Sequence, residues 1–301
     1  MASPPGSHCP LMMGKSSSLL IVFFAYLLAL VCGYFTAEIL QREGFGFLWA
    51  LAVADLVGTL VVFAFTFAFE NTSIYDPYWS VIPPFMALYS VDDWDLRSTL
   101  VLAVVWLWGI RLTCNWVRRW KGLQDIDWRY RDYEQKTGKW FWLVSFSGLQ
   151  LVPSILVFLA CIPVVVGLKF AEGDFGILGL TGFMLAIFAI WLAWKADREL
   201  WAFLTKKREK LGAEGLWSIW RFPNYIGEVM FWWGVFLIGI EANPSFLWML
   251  IGPLCMTALF HFISMPMMEE RHRRKRPDYY QELMRRPRWI PLFRSSIKDK
   301  C

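Results

Sequence analysis

The sequence predicts an all-α fold, a polytopic membrane helix bundle. Of the 301 residues, 57% are hydrophobic, the mean hydropathy is +0.41, and the apolar residues gather in runs of about 20. A bilayer hydrocarbon core about 30 Å thick requires helices of that length. An ordinary soluble domain instead places polar residues along one face of each helix. We therefore expect seven or eight membrane spans.

The apolar runs follow one another along the chain with short connections. The predicted spans are 18–40, 46–69, 98–118, 148–168, 175–196, 226–241 and 246–267. A shorter run at 77–91 is broken by Pro83-Pro84 and is either a short span or a re-entrant piece. The first run lacks a small-residue cleavage site and is followed by further spans, so we expect a retained helix and not a signal peptide.

Basic residues predict the orientation of these spans. Seven Lys or Arg lie in 118–139, seven in 195–221 and eleven from Arg271 onward, whereas the loops of the other side hold only three. Cytosolic loops are the ones enriched in Lys and Arg, so these three segments and the C-terminus are predicted to be cytosolic. With eight spans Lys15 would be cytosolic and Arg42 would lie on the other side, whereas with seven spans the two would change places. The number of basic residues on each side is the same in both cases, so charge is compatible with both seven and eight spans.

The predicted domain organisation has one membrane region between two tails. Its parts are a disordered tail at 1–16, N-terminal membrane helices at 17–70, the main membrane domain at 71–292 and a C-terminal tail at 293–301. The net charge of +5 follows from the topological bias, so no nucleic-acid partner is predicted; the basic tail suits anionic membrane lipids. Six cysteines without a CxxC and three histidines without an HExxH predict no metal site.

No nucleotide loop of the soluble type is present. A GxGxxG motif after a strand is absent, which argues against a Rossmann site. Three glycines at three-residue intervals are better explained by close helix packing. They are Gly176, Gly179 and Gly182.

Charged residues inside spans are the first candidates for function, because each costs several kcal/mol unless it is paired or hydrated. Arg111 lies before the cytosolic end of its span, and Asn115 follows one turn later on the same face. This stripe suits a polyanionic ligand, and a snorkelling arginine is the alternative. Asp197 ends another span on the same side of the membrane. Asp76 is on that side only if the chain has eight spans.

The octapeptide 221–228 (RFPNYIGE) places many polar groups just before an apolar run. Pro223 suits the first position of a helix, since it has no N–H to lose. The helix start would then offer free N–H groups beside Arg221, an arrangement suited to an anion. Asn224 and Glu228 would share one helix face. A simple capped helix entering the membrane is the alternative.

Three other polar sites favour structural roles. Asp55 in the second span is expected to make a helix–helix hydrogen bond, and His261 in the last span is expected to be a hydrogen-bonded core imidazole. Glu269-Glu270-Arg271 is expected to act as a charged cluster at the end of that span.

These motifs together resemble the steroid 5-alpha-reductase-like membrane family. The resemblance is nearest to the branch catalogued as a domain of unknown function, which is related to sterol reductases and isoprenylcysteine carboxyl methyltransferases. It covers about Tyr75 to Pro291. It rests on the order and spacing of 76–79 (DPYW), 107–115 (LWGIRLTCN), 132–133 (DY), 197–198 (DR), 221–228, 268–271 (MEER) and 277–279 (PDY).

The resemblance implies a seven-helix core with 18–40 as an extra N-terminal helix, about eight spans in all. It also implies NADPH bound from the cytosolic side and a hydrophobic substrate arriving from the lipid. The family's cofactor contacts carry over to Arg111, Asp197, Asn224 and Glu228, with Arg221, Tyr225 and Asn115 as neighbours.

The chain also departs from the family pattern. Phe222 replaces the histidine of the family's R-H-P-N-Y form. Trp108 stands where steroid reductases carry the tyrosine that polarises the substrate ketone, and an indole cannot act as an acid. The glutamine–glutamate pair of those enzymes is absent, so Asp76 is the remaining candidate proton donor.

The leading hypothesis is a multi-pass, NADPH-dependent reductase of a carbon–carbon double bond in a steroid, polyprenyl or other lipid, located in the endoplasmic reticulum. Arg111, Arg221 and the helix start at Asn224 would hold phosphate or ribose, and Asp197 and Glu228 would orient the cofactor. Trp79 and Trp108 would line the lipid-facing part. The alternatives are an S-adenosylmethionine-dependent methyltransferase and a non-enzymatic lipid-binding member. No obligate protein partner is predicted.

Overall fold

The computed structural model describes residues 13–206 and 215–289, and within them all regular structure is helical. The α-helices are α1 (Lys15–Arg42), α2 (Phe47–Ala68), α3 (Tyr78–Tyr89), α4 (Leu96–Arg119), α5 (Trp128–Thr137), α6 (Phe141–Val144), α7 (Val152–Lys169), α8 (Ile177–Lys206), α9 (Leu216–Ile219), α10 (Pro223–Ala242), α11 (Ile251–Ala258), α12 (Met265–Lys275) and α13 (Pro277–Met284). Residues 1–12 of the predicted N-terminal tail and the whole tail at 293–301 lie outside the described residues.

Seven helical stretches are long and apolar enough to cross a bilayer. They are Lys15–Arg42, Phe47–Ala68, Leu96–Arg119, Trp128–Lys169, Ile177–Thr205, Pro223–Ala242 and Pro244–Lys275. The prediction of an all-α, polytopic membrane protein is confirmed. Helix α3 occupies the place of the predicted short piece; its 12 residues reach about 18 Å, less than a bilayer core.

One long stretch begins earlier than the predicted span at 148–168. From Trp128 onward, α5 and α6 lead into α7 through a 3₁₀ turn at Gly138–Trp140 and a π-helical segment at Ser145–Leu151. Charged residues in α5 hide this continuity from a hydropathy pattern, because helix formation does not require apolar residues at every turn.

The described chain divides into two compact units, of which the first comprises residues 1–85 and 112–155. In this unit α1 and α2 pack together as a hairpin. Gly44, at φ +84°, forms the turn in a backbone conformation that favours glycine. Gly33 faces the carbonyl oxygen of Ala54, where a Cβ would lie 3.3 Å away, so the two helices approach closely.

Hydrogen bonds gather three segments of the first unit at one end. Ser18, near the start of α1, accepts from the backbone N–H of Leu123, and Asn71 donates to the Leu123 carbonyl at 2.7 Å. The backbone N–H of Asp127 donates to Ser73. The start of α1 and the 71–76 segment therefore lie at the same end as the basic 118–127 segment. This arrangement places Asp76 at the same end as that basic segment, the end predicted to be cytosolic. Asn71 begins an N-x-S/T sequon, 71–73 (NTS), and its burial disfavours glycosylation there.

The second unit comprises residues 86–111 and 156–301, and the contact between α8 and α10 is its main packing feature. A Cβ at Gly234 of α10 would lie 2.8 Å from the backbone nitrogen of Ala186 and from the carbonyl oxygen of Gly182. A Cβ at Gly227 would likewise lie 2.7 Å from the carbonyl oxygen of Ala189. Predicted close packing is thus confirmed at Gly182, whereas Gly176 and Gly179 face the carboxylate of Glu241.

Candidate functional site

Four side chains from α4, α8 and α10 form a buried network in the second unit. The indole Nε1 of Trp108 donates to Oε2 of Glu228 at 2.8 Å. The guanidinium of Arg111 donates through one terminal nitrogen to Asp197 at 2.8 Å and through the other to Glu228. Trp108 is fully buried, and the Arg111 and Glu228 side chains are only 6% and 5% exposed. Asp197 and Glu228 follow Trp108 by 89 and 120 positions in the sequence, and the network brings them together.

The network carries a net charge of −1, since two carboxylates surround one guanidinium. Desolvating three charges is costly, and their mutual attraction repays that cost only when geometry and hydrogen bonding are good. Arg111 offers both terminal nitrogens to the carboxylates, so its strongest donors already have partners. The arrangement is therefore better suited to accept hydrogen bonds or to stabilise positive charge than to bind an anion.

Aromatic rings enclose the network on the α10 side. The ring of Trp108 stacks on Phe231 at 4.9 Å and 3° between planes, and it meets Trp232 edge-on at 5.0 Å. Trp232 follows Glu228 by four residues and so lies on the same face of α10. These rings make a low-dielectric wall, in which the charges of the network act more strongly than they would in water.

Three of the buried polar atoms in this unit that make no hydrogen bond within the described part of the chain belong to Arg111 and to α10. They are Nε of Arg111, Oδ1 of Asn224 and Nε1 of Trp232. Each costs about 1–3 kcal/mol if it stays unsatisfied. Asn224 precedes Glu228 by one turn, so both donors and acceptors are available around the network. A polar ligand that both donates and accepts hydrogen bonds fits these atoms.

Arg221 belongs to a separate cluster. Its Nε and terminal nitrogens donate to the carbonyl oxygens of Arg286 and Met284 and to Glu269. Glu269 also accepts from Arg288 at 2.9 and 2.5 Å. Arg221 and Glu269 are both buried, and together they hold the segment after α13. The sequence prediction paired Arg221 with a cofactor phosphate; in the structure its guanidinium is bonded to the protein itself.

Phe222 and Tyr225 pack in an aromatic cluster beside Arg221. Phe222 is 2% exposed and stacks on Tyr225 with ring centroids 5.5 Å apart. Tyr225 also contacts Phe260 at 5.0 Å. A buried apolar surrounding accounts for phenylalanine at the position where the family carries histidine.

His261 is hydrogen-bonded as expected. Its Nδ1 accepts from Nε1 of Trp289 at 2.8 Å, which confirms the prediction of a satisfied imidazole.

Asp76 and Asn115 lie in the first unit, with Asn115 one turn beyond Arg111 along α4. Asp76 accepts hydrogen bonds from Tyr130 and, at 3.4 Å, from Arg129. Burial raises the pKa of the Asp76 carboxyl to about 6, although the Arg129 guanidinium and the Tyr130 hydroxyl oppose the increase in pKa. A carboxyl with this pKa can give and regain a proton near neutrality, and the role predicted for Asp76 stays a prediction.

Sequence reasoning missed the partners that the structure reveals. Tyr130 lies in the basic segment 118–139, which is predicted to be cytosolic, and nothing in its pattern points to Asp76, 54 residues earlier. Trp232 carried a usable signal, since it follows Glu228 at helical spacing within an apolar run.

The comparison with protein families matches residues 62–286 to the model described as "Protein of unknown function (DUF1295)". This match covers most of the chain and includes all nine predicted site residues. The chain belongs to the DUF1295 family. Helix α1 and the first part of α2 precede the matched region.

One curated relative is similar to this DUF1295 protein. It is "Uncharacterized protein C594.04c" of Schizosaccharomyces pombe, 24% identical over 224 residues. The alignment covers 64% of this chain and 64% of the relative. No solved structure matches the chain.

Proposed function

We propose that this DUF1295 protein is a multi-pass membrane reductase that uses NADPH to reduce a carbon–carbon double bond in an apolar lipid. The resemblance to steroid 5-alpha-reductase-like proteins supports the reaction class, and location in the endoplasmic reticulum is part of the same proposal. The buried Trp108–Glu228–Arg111–Asp197 network, with its net charge of −1, is the observation that carries the proposal.

The residues present fit the nicotinamide end of NADPH. A carboxamide and ribose hydroxyls both donate and accept, as Nε of Arg111, Oδ1 of Asn224 and the neighbouring carboxylates require. When bound, NADPH supplies a hydride for the β-carbon of an electron-poor alkene, a proton reaches the α-carbon, and NADP⁺ is the product. Asn224 and Glu228 would orient the carboxamide or the ribose.

The charge of the network favours this reaction over the alternative. A dihydronicotinamide that gives up a hydride becomes a cation, so the carboxylates of Glu228 and Asp197 would stabilise the charge developing on such a cofactor in the transition state. These carboxylates are held in place by Arg111 and Trp108 and need not reorganise as the charge appears.

A methyltransferase is the second candidate, and one observation favours it. Arg111 and Arg221 are both bonded to protein acceptors, and S-adenosylmethionine has no phosphates that would need an arginine. A net negative aromatic site also suits a sulfonium ion. Methyl transfer, however, discharges the sulfonium, so the same network would stabilise the reactant more than the transition state. For this reason we rank the reductase first.

Cofactor binding tests the proposal directly. Full-length protein purified in detergent is titrated with NADPH and, separately, with S-adenosylmethionine, and binding is measured calorimetrically. Asn224→Ala and Glu228→Gln are expected to abolish NADPH binding. Glu241→Gln, at the opposite end of α10, removes a carboxylate outside the network and is expected to leave the affinity unchanged.

The outcomes separate the candidates. NADPH affinity that is the same in wild type, Asn224→Ala and Glu228→Gln contradicts the assignment of this site. Binding of S-adenosylmethionine alone, lost in the same variants, supports the methyltransferase. Binding of NADPH without oxidation in the presence of any lipid extract supports a non-enzymatic member.

A further inference from the structure

The first unit contains a second buried polar group that the proposed cofactor site does not use. Asp55 lies at the ninth position of the 22-residue helix α2, and Tyr78 begins α3. Their residues are 5% and 1% exposed. At 1.5 Å per residue, Asp55 is more than about 10 Å from either end of α2, so it sits at hydrocarbon depth. A carboxyl group at this depth is energetically costly unless it has a polar partner.

The two side chains face each other, but their contact is incomplete. The Tyr78 hydroxyl is paired with the side chains of Asp55 and Thr59, yet Oδ1 of Asp55 and the Tyr78 hydroxyl make no hydrogen bond of regular geometry within the described part of the chain. Gly58, one turn beyond Asp55 on α2, faces the Tyr78 hydroxyl, and a Cβ there would overlap it. The expected helix–helix hydrogen bond of Asp55 is thus directed at Tyr78 of α3, and it leaves Oδ1 of Asp55 without a partner of regular geometry.

Neighbouring hydroxyls in the same cluster have partners. Tyr26 donates to the carbonyl oxygen of Ile74 at 2.6 Å. Ser154 lies 2.8 Å from both the Tyr75 hydroxyl and the Thr59 hydroxyl. The hydroxyl groups around Asp55 and Tyr78 are thus hydrogen-bonded. The lack of regular hydrogen bonds is therefore confined to Oδ1 of Asp55 and the Tyr78 hydroxyl, and it does not reflect loose packing of the whole region.

The surrounding surface is apolar and aromatic. The apolar cluster that contains Tyr78 also includes Val22, Ala25, Tyr26, Ala29 and Val62. The ring of Tyr78 meets that of Tyr26 at 5.7 Å. A ligand that reaches this depth from the bilayer must therefore be largely apolar, with one polar group to meet Asp55 and Tyr78.

We propose that Asp55 and Tyr78 form a binding site for the hydroxyl group of an apolar lipid alcohol. A carboxyl oxygen accepts the ligand O–H, and the Tyr78 hydroxyl donates to the ligand oxygen. A hydroxyl matches both groups at once, since it donates and accepts through a single atom. This site lies wholly within the first unit, and the proposal holds whether or not the protein is an NADPH-dependent reductase.

Binding of matched lipids to the wild-type protein is the primary test. Full-length protein in nanodiscs is titrated with two pairs of probes: cholesterol against its 3-deoxy hydrocarbon, and geranylgeraniol against the corresponding hydrocarbon. For at least one pair the alcohol is expected to bind about tenfold more tightly, the effect of hydrogen bonds to a charged or buried group. Equal affinities in both pairs overturn the proposal, because Asp55 and Tyr78 would then satisfy each other.

Variants assign the preference to these residues. Tyr78→Phe and Asp55→Asn are each expected to reduce the preference for the alcohol to within about twofold. Tyr26→Phe is the matched control, because it removes a tyrosine hydroxyl of the same cluster that already has a partner. Loss of the preference in Tyr26→Phe as well as in Tyr78→Phe would contradict the assignment, as would its retention in Tyr78→Phe. The wild-type comparison remains decisive if a variant fails to fold.

Discussion

Trp108 donates its indole N–H to the carboxylate of Glu228 at 2.8 Å, and both side chains are buried. The bond links α4 to α10 within the second unit, and it fixes one of the two carboxylate oxygens of Glu228. The other oxygen accepts from Arg111. Trp108 therefore positions the carboxylate and does not itself present a free N–H.

Replacing Trp108 with phenylalanine tests this role. Phe keeps an aromatic ring against Phe231 but leaves Oε2 of Glu228 without its donor, so we expect a loss of about 1–3 kcal/mol in the free energy of unfolding. Thermal denaturation in detergent measures the change. Trp233→Phe is the control, since it makes the same change of ring but removes a hydrogen bond to a neutral hydroxyl, that of Thr257. An equal effect of both variants would contradict a particular contribution of the bond to the Glu228 carboxylate.

Replacing Arg111 with methionine is expected to destabilise the protein by about 3–5 kcal/mol, because two buried carboxylates lose their counter-charge. Adding Asp197→Asn to that variant should restore part of the stability, since it removes one of the uncompensated charges. A double-mutant cycle from thermal melts measures the coupling. Additive effects would contradict a direct interaction between Arg111 and Asp197.

Asp76 predicts a pH dependence of stability. Its pKa is about 6 in the folded protein, against 3.8 for an ordinary aspartate carboxyl, so the folded state holds the proton more firmly between these two pH values. Stability should therefore fall as the pH rises from about 4 to about 6, by roughly 3 kcal/mol, and then level off. Asp76→Asn is expected to reduce the slope of melting temperature against pH in this range by the share that Asp76 contributes.

Asp95 offers a contrast of opposite sign. Hydrogen bonds from Ser98 lower the pKa of the Asp95 carboxyl, so its contribution is present above the ordinary pKa and is lost as the pH falls. Asp95→Asn should leave the slope between pH 4 and 6 unchanged. If Asp76→Asn shows the same dependence of melting temperature on pH as the wild-type protein, the slope belongs to another group.

The ion pairs of Glu269 are expected to hold the segment after α13 against the rest of the second unit. Glu269→Gln removes the charge that pairs with Arg221 and Arg288, and we expect trypsin to cut after Arg285 and Arg288 several-fold faster. Glu270→Gln is the matched control, because Glu270 pairs with exposed Arg273 and Arg274, and such surface pairs contribute little. Equal rates in both variants would contradict the inferred attachment.

The sequence predicted the class of the fold because bilayer thickness leaves few solutions to an apolar run of 20 residues. Arg111, Asp197 and Glu228 could also be expected to meet, since each is costly in the membrane and motif order matched a known family. The pairing of Arg221 could not be predicted. Charge sign and membrane side allow it to meet several carboxylates, and the choice of Glu269 depends on how α12 is rotated.

The site around Asp55 shows the same limit. An acidic residue in a span predicts a partner, yet only the packed structure shows that Tyr78 faces it and that Gly58 makes room for the hydroxyl. Side-chain partners across helices depend on crossing angle and depth, to a fraction of a helical turn, and sequence periodicity does not carry that information.

The attachment of the start of α1 to the 118–127 segment has a consequence for biogenesis. Lys15 and Arg42 flank α1 with one positive charge each, so the translocon receives almost no directional cue when this helix first emerges. The cue arrives later, with the arginine- and lysine-rich stretch beyond α4. Membrane insertion of the α1–α2 hairpin should therefore be settled late in synthesis, and ribosome-bound chains truncated before residue 118 should show α1 in both orientations.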